Sequence, residues 1–111
     1  MASALQWLGG TREEVSCKEA LAEWLCGLWQ DDHGSAYRLA RGSQFTIDVL
    51  TTRPCGAKRF TRALIQCVME DDDAIALFWG CPGRKYRGER GGSQQLLWKS
   101  AGSEFWWEKL Q

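Results

Sequence analysis

From Gly27 onward, the chain consists of short runs of alternating polarity, separated by clusters of Gly, Pro, Asp and Ser. A period near two places successive side chains on opposite faces of a strand, so that each run can bury one face. Short loops favour antiparallel pairing of neighbouring runs. We therefore predict a mainly β fold, an antiparallel up-and-down meander of about seven to eight strands. Closure into a small barrel is expected because it leaves no exposed sheet edge.

The alternating pattern also predicts where the strands lie. In the third run, Phe45, Ile47 and Val49 share one face. The Gly-rich stretch 88–93 is predicted to be a mobile hairpin tip. The predicted strands are 27–30, 35–41, 44–53, 58–69, 74–79, 84–88, 94–100 and 103–109.

Helical periodicity occurs only near the start of the chain. The apolar residues that fall mostly on one helical stripe are Val15, Leu21, Trp24, Leu25 and Leu28. Thr11 with Glu14, or Ser16 with Glu19, would form a capping box. We predict one helix over about residues 12–25, which ends near Gly27 because glycine permits the turn into the first strand.

The size and charge of the chain limit its organisation and partners. A chain of 111 residues predicts a single domain, with a helical segment at 1–26 and the barrel at 27–111. Fourteen basic and fourteen acidic residues cancel, so no global field directs the protein to nucleic acid or an anionic membrane. No apolar run approaches the length of a membrane span.

The cysteines indicate a reducing environment. Five cysteines, with none at two-residue spacing, do not fit a disulfide framework or a zinc knuckle. We expect free thiols that behave as small apolar side chains, in the cytosol or the interior of an organelle.

Aromatic residues dominate the candidate core, with seven Trp, four Phe and two Tyr. Four of them near strand ends either line a pocket for a flat apolar ligand or fill the barrel: Trp29, Tyr37, Trp79 and Trp98. Trp106 and Trp107 are adjacent and must face opposite ways in a strand. One of them, assigned here to Trp106, is expected outside the barrel as a contact for a partner or for the N-terminal helix.

The charges are segregated although they sum to zero. In a meander, alternate turns lie at the same end, so a basic turn after residue 53 and another near residue 84 share one end. The acidic segment 70–73 is expected at the other end. The basic residues are either solvated hairpin tips or a docking patch for a phosphate, an RNA backbone or an acidic protein: Arg53, Lys58, Arg59, Arg84 and Lys85.

The order helix, Gly27-x-Trp29, Gly34-Ser35 and second strand resembles the opening of the calycin barrels, the lipocalin and avidin type. The resemblance implies a barrel in which Trp29 plugs one end beneath a basic side chain from the last strand. Lys109 is the matching residue. The resemblance further implies a small-ligand binder.

A second set of residues is similar to the WWE module, which binds poly-ADP-ribose. Its tryptophans and late strand are matched by Trp24, Trp29, Tyr37 and the run Phe45-Thr46-Ile47-Asp48. That module has a helix between these two blocks, where this chain has seven residues between Tyr37 and Phe45. We rank this resemblance below the barrel.

The sequence predicts no catalytic residue, no metal site and no cofactor. His33 lies in a turn beside Asp31 and Asp32, where side chains diverge, and it would need a distant Cys55 or Cys81 to form a dyad. No Gly-rich loop lies between a strand and a helix, which excludes the known nucleotide loops.

We therefore expect a non-enzymatic interaction module, a small accessory subunit that binds protein partners in a larger assembly. The first alternative is a calycin-like barrel that binds a small apolar ligand. The second is a reader of a polyanion, either RNA or poly-ADP-ribose, which would use the basic turns.

Overall fold

The protein forms a closed eight-stranded antiparallel barrel preceded by one helix, seen in a computed structural model that describes residues 12–69, 75–80 and 85–110. Each strand pairs with its neighbours in the chain, and the last pairs with the first. The predicted fold is thereby confirmed. The elements are α1 (Arg12–Leu25), β1 (Gly27–Asp31), β2 (Ala36–Arg41), β3 (Thr46–Thr52), β4 (Lys58–Met69), β5 (Ile75–Trp79), β6 (Tyr86–Gly92), β7 (Gln95–Lys99) and β8 (Glu104–Lys109).

The strand registers direct one row of side chains into the barrel. Trp29 is opposite Tyr37 on β1 and β2, and Tyr37 is in turn opposite Thr51 on β3. Paired residues share a face of the sheet, so the interior continues from strand to strand. The buried interior consists of Trp29, Tyr37, Leu39, Ile47, Val49, Ile65, Cys67, Leu77, Leu96, Trp98 and Trp107.

Helix α1 packs against one end of the barrel, here called the helix end. Leu25 is fully buried there. The guanidinium of Arg41 donates to both carboxylate oxygens of Glu19, at 2.8 and 3.1 Å. Trp24 Nε1 donates to the carbonyl of Ser93 at 2.8 Å, and Lys109 Nζ donates to the carbonyl of Trp24. These contacts connect the helix to β2, to the β6–β7 turn and to β8.

The opposite end, here called the loop mouth, lies where β1, β3, β5 and β7 end. The predicted Asp31-to-Gly34 turn lies there. Asp31 Oδ1 accepts hydrogen bonds from the backbone N–H groups of His33 and Ser35, both at 2.9 Å. Such a carboxylate stabilises the tight turn without a ligand.

The predicted end of β6 is wrong. The stretch 88–93 does not form a hairpin tip, because β6 runs to Gly92 and pairs with β7, with a register shift between Arg90 and Gly92. A Cβ on Gly91 would lie 2.5 Å from Trp106 Cζ3. Glycine is needed there for close approach of a ring, which is a different reason from the loop formation that the sequence pattern indicated.

The described residues show which cysteines are free and whether a helix could span a membrane. Cys17, Cys26, Cys55 and Cys67 are free, and Cys81 lies outside the described residues. Within those residues there is no helix with the length and apolar character that crossing a bilayer requires.

Candidate functional site

A cleft of about 750 Å³ opens at the loop mouth, between the β3–β4 turn and the end of β5. It combines basic side chains, threonine hydroxyls and an apolar wall. The residues around it are Thr51, Arg53, Ala57, Lys58, Arg59, Thr61, Leu64, Trp79, Gly80 and Lys85. We call this the basic cleft.

Four of the five predicted basic residues meet in this cleft. Arg53, Lys58, Arg59 and Lys85 are exposed and line it together, with no carboxylate among the described residues around it. Arg84 lies outside the described residues, as does the acidic segment 70–73. The prediction that the two basic turns share one end is therefore confirmed for these four side chains. Convergent cations with no acidic partner among the described residues create a local positive potential that attracts anions.

The β3–β4 turn fixes two of these cations. Arg53 N donates to the carbonyl of Ala57 and Gly56 N donates to the carbonyl of Arg53, both at 2.8 Å. Gly56 has φ +92°, a conformation that glycine adopts without strain. Lys58 follows as the first residue of β4, opposite Thr52. The turn therefore presents Arg53 and Lys58 from the two ends of the same short loop.

Arg59 enters the cleft from the interior face of the sheet. It lies opposite Thr51, and Thr61 lies opposite Val49. Thr51 is buried, with 9% of its surface exposed, so its register partner Arg59 is on the face that lines the barrel. Arg59, Thr51 and Thr61 therefore lie on the same face of the sheet and line the cleft together.

A bulge in β4 accompanies this arrangement. Between the pairs Val49–Thr61 and Ile47–Ile65, β4 has three residues where β3 has one. Ala63 adopts φ +54°, and its N–H donates to Asp48 Oδ1 at 2.8 Å. Bulges bend a strand and redirect its side chains, and they are frequent near binding sites.

Arg53 is further held by a hydrogen-bonded chain from β1. Its Nη1 donates to Ser35 Oγ at 3.3 Å. Asp31 Oδ1 accepts from Ser35 N, and Asp31 Oδ2 accepts from the Tyr37 hydroxyl at 2.7 Å. Arg53 is therefore positioned by residues of another hairpin, which reduces the entropy lost when it binds a ligand.

Among the residues of this hydrogen-bonded chain, Tyr37 has a shifted pKa. Burial, reinforced by the hydrogen bond and charge of Asp31, raises the pKa of Tyr37 to about 12 from 10. Below pH 10 the phenol is neutral in both states. Between pH 10 and 12 the unfolded chain loses this proton while the folded chain keeps it, so folding stability falls as pH rises.

Tyr37→Phe tests this coupling. We expect the wild type to lose more free energy of unfolding between pH 10 and 12 than Tyr37→Phe does, because the variant lacks the titrating phenol. Urea denaturation at a series of pH values measures the difference. Equal slopes for the two proteins would contradict burial of the phenol beside Asp31.

The four aromatic residues that were predicted to line a pocket differ in burial. Trp29, Tyr37 and Trp98 are buried in the core, whereas Trp79 is partly buried and lines the cleft. Trp107, which was not in that prediction, stacks on Tyr37 at 4.3 Å between ring centroids. These rings occupy the barrel interior, so the cleft lies above them and not among them.

Lys109 lies where the Gly-x-Trp resemblance implies a basic residue. It is opposite Trp29 on β8 and β1, and its Nζ is 5.7 Å from the Trp29 ring centroid. The same Nζ is 5.8 Å from the centroid of Trp24. This cation and the two rings form the contact between the helix end and the core.

Trp106 is exposed outside the barrel, as predicted for one residue of the adjacent pair. It keeps 44% of its surface exposed, whereas Trp107 is fully buried. It shares no contact with the basic cleft, whose residues do not include it. Its role as a partner contact stays a prediction.

Sequence analysis did not identify Thr51, Thr61, Leu64 or Gly80 as site residues. Gly80 has φ +92°, and a Cβ there would lie 2.9 Å from Lys85 Cβ. The glycine that directly follows Trp79 in the sequence was a signal for close approach of the backbone. The threonines and Leu64 carried none, because alternation does not tell which inward position lies at the mouth.

Of the residues considered for catalysis, His33 and Cys55 do not line the cleft. The His33 side chain is largely exposed, and its Nε2 is 3.7 Å from Asp32 Oδ1. Cys55 is exposed, and Cys81 lies outside the described residues. Among the described residues, no three His, Cys, Asp or Glu side chains converge as a metal site would require.

The described chain is thus a closed antiparallel barrel with a helix against one end and a cationic cleft at the other. Neither a protein-family model, nor a curated protein, nor a solved structure matches it significantly.

Proposed function

We propose that the protein is a non-enzymatic binding protein that takes a small anionic ligand in the basic cleft. The observation that carries this proposal is the convergence of Arg53, Lys58, Arg59 and Lys85 around one cleft of about 750 Å³. Ligand sites in proteins commonly have volumes of a few hundred to about 1,000 Å³ and combine apolar walls with a few polar groups. The basic cleft has both components.

The alternative, a set of solvated hairpin tips, is less well supported. Side chains at independent tips point away from one another, whereas these four surround a common space. The charge of the whole chain is zero, so their clustering is local. Unpaired like charges repel, and an anionic ligand would relieve that repulsion.

The resemblance to calycins supports binding of a small ligand, without indicating the charge of that ligand. The closed eight-stranded barrel and the position of Lys109 over Trp29 are the features that the resemblance implies. The ligand position differs from a deep central pocket, because the rings of Trp29, Trp98 and Trp107 are fully buried in the interior. The proposal therefore places the ligand at the loop mouth, against Trp79.

Arg59→Gln tests the site with anilinonaphthalene sulfonate, an aromatic monoanion that fluoresces on binding. We expect the variant to bind this probe about ten-fold more weakly, because a charge-assisted contact contributes about 1.5–3 kcal/mol. Arg38→Gln is the control, since Arg38 is exposed on β2 and lies outside the cleft. We expect Arg38→Gln to change the affinity for the probe less than about two-fold, because salt screens the effect of a single distant charge.

Circular dichroism establishes that both variants keep the fold, because partly unfolded proteins also bind such dyes. Equal weakening by both substitutions would contradict a site at the cleft. A wild-type protein without saturable binding of the probe would do so as well.

Protein contact is the second candidate function, and the exposed Trp106 supports it. Large aromatic side chains at the surface are frequent anchors of protein interfaces. Phe60 is also exposed, at 58%, on the outer surface of β4. Trp106 does not line the basic cleft, so the two surfaces can be tested by separate substitutions.

A further inference from the structure

We propose that the ligand of the basic cleft is an aromatic phosphate monoester, with its phosphate held by the cations and its ring against Trp79. This inference rests on the function proposed above and adds the chemical class of the ligand. Two parts of the cleft carry it, a charged part near the β3–β4 turn and an apolar part formed by Trp79 and Leu64.

The number of charges favours a phosphate over a carboxylate or sulfonate. Four cations face the cleft, and none of the lining residues that the structure describes is acidic. A phosphate monoester carries about 1.5–2 negative charges at neutral pH and has three strong acceptor oxygens. A monoanion would leave more of the positive charge without a partner. The planar guanidiniums of Arg53 and Arg59 suit two-point contact with phosphate oxygens.

Thr51 adds an independent observation. Its side chain lines the cleft and is buried to about nine-tenths, with 9% exposed. The hydroxyl belongs to a residue of the cleft wall, so an oxygen of the ligand can form a hydrogen bond with it. Arg59 lies opposite Thr51 on the neighbouring strand, so the same ligand group can contact both side chains.

The apolar part favours a flat ring. The Trp79 ring packs against the rings of Tyr37, Trp98 and Trp107, at centroid distances of 5.7, 5.5 and 4.9 Å. These contacts fix the indole, so little side-chain entropy is lost when a ring packs on it. Leu64 extends the same apolar wall.

A nucleic acid strand offers phosphates and rings too, but the charge distribution favours the small ligand. Strand binding uses a long positive groove that follows many phosphates. Here the cations surround one cleft, and the chain has no net positive charge. Binding of RNA is therefore an outcome that the experiment must exclude.

Isothermal titration of the wild type with four probes tests the proposal: naphthyl phosphate, naphthalene sulfonate, naphthol and inorganic phosphate. We expect naphthyl phosphate to bind at least ten-fold more tightly than each of the others. Its affinity should fall between about pH 7.5 and pH 5.5, because the phosphate takes up its second proton with a pKa near 6. The affinity of the sulfonate should stay unchanged over that range.

Thr51→Val adds a residue-specific arm. It removes one hydroxyl at nearly constant shape and is expected to weaken naphthyl phosphate about five- to ten-fold. Thr52→Val is the matched control, because Thr52 is the next residue on β3 and does not line the cleft. It should weaken binding less than two-fold.

The outcomes separate this inference from the proposed function. Equal affinity for the sulfonate and the phosphate, or equal loss in the two threonine variants, overturns the phosphate ester while an anion site stands. Equal binding of naphthol overturns the use of charge and removes both proposals. Tighter binding of an oligouridylate, weakened steeply by salt, replaces the small ligand by a nucleic acid strand.

Discussion

Trp107→Ala is expected to lower the free energy of unfolding by about 3–5 kcal/mol. Trp107 is fully buried, and its ring contacts those of Trp29, Tyr37, Trp79 and Trp98, with centroid distances of 5.9, 4.3, 4.9 and 5.4 Å. Removing it opens a cavity that four rigid rings cannot fill, so the loss should lie at the upper end for core substitutions. Urea denaturation followed by circular dichroism measures it.

Trp106→Ala is the matched control, since it removes the same side chain one residue earlier. Trp106 points outward and keeps 44% of its surface exposed, so we expect a loss of no more than about 1 kcal/mol. Similar losses for the two variants would contradict the assignment of interior and exterior faces on β8. If Trp107→Ala does not fold, Trp107→Phe keeps a ring in place and should show a smaller loss of the same sign.

Gly88→Ala is expected to cost about 1–3 kcal/mol through overpacking. Gly88 faces the interior of the barrel, opposite Trp98 on β7 and Leu77 on β5. A Cβ there would lie 2.9 Å from Trp98 Cζ3 and 3.1 Å from Leu77 Cβ. The indole is fully buried and has no free direction in which to move.

The sign of this effect is diagnostic, because replacing glycine by alanine at an unstrained position usually stabilises a protein slightly. Gly102→Ala provides that reference, since a Cβ there would meet nothing within 4 Å. We expect the free energy of unfolding of Gly102→Ala to equal or exceed that of the wild type. A Gly88→Ala variant as stable as the wild type would contradict the close approach of Trp98 to Gly88.

Much of the fold follows from local sequence rules. Alternation over Phe45 to Val49 and the turn after Asp31 each predict their strand or turn without reference to distant residues, and both are observed. Strand β4 runs from Lys58 to Met69, as predicted. The end of β6 was mispredicted because its glycines accommodate Trp106, which lies fifteen residues further on than Gly91. Close approach of side chains that are distant in sequence is invisible to a local pattern.

The site was less predictable than the fold. The cations could be placed at one end of the barrel because alternate turns of a meander lie at the same end. The choice between Trp79 and Trp98 could not be made, because both alternate inward near a strand end. The structure separates them through depth in the barrel: Trp98 lies against the side-chain-free Gly88, whereas Trp79 borders the cleft. How deep a side chain lies in the barrel depends on the stagger between neighbouring strands. The sequence of one strand does not determine that stagger.

Closure between β1 and β8 also bears on how the chain folds. Trp29 on β1 pairs with Lys109 on β8, near the two ends of the barrel sequence. Until this pairing forms, both strands are sheet edges, and an open edge can pair with another chain. We expect closure of the ring to be a late and slow step of folding, because contacts between residues distant in sequence carry a large loop entropy cost.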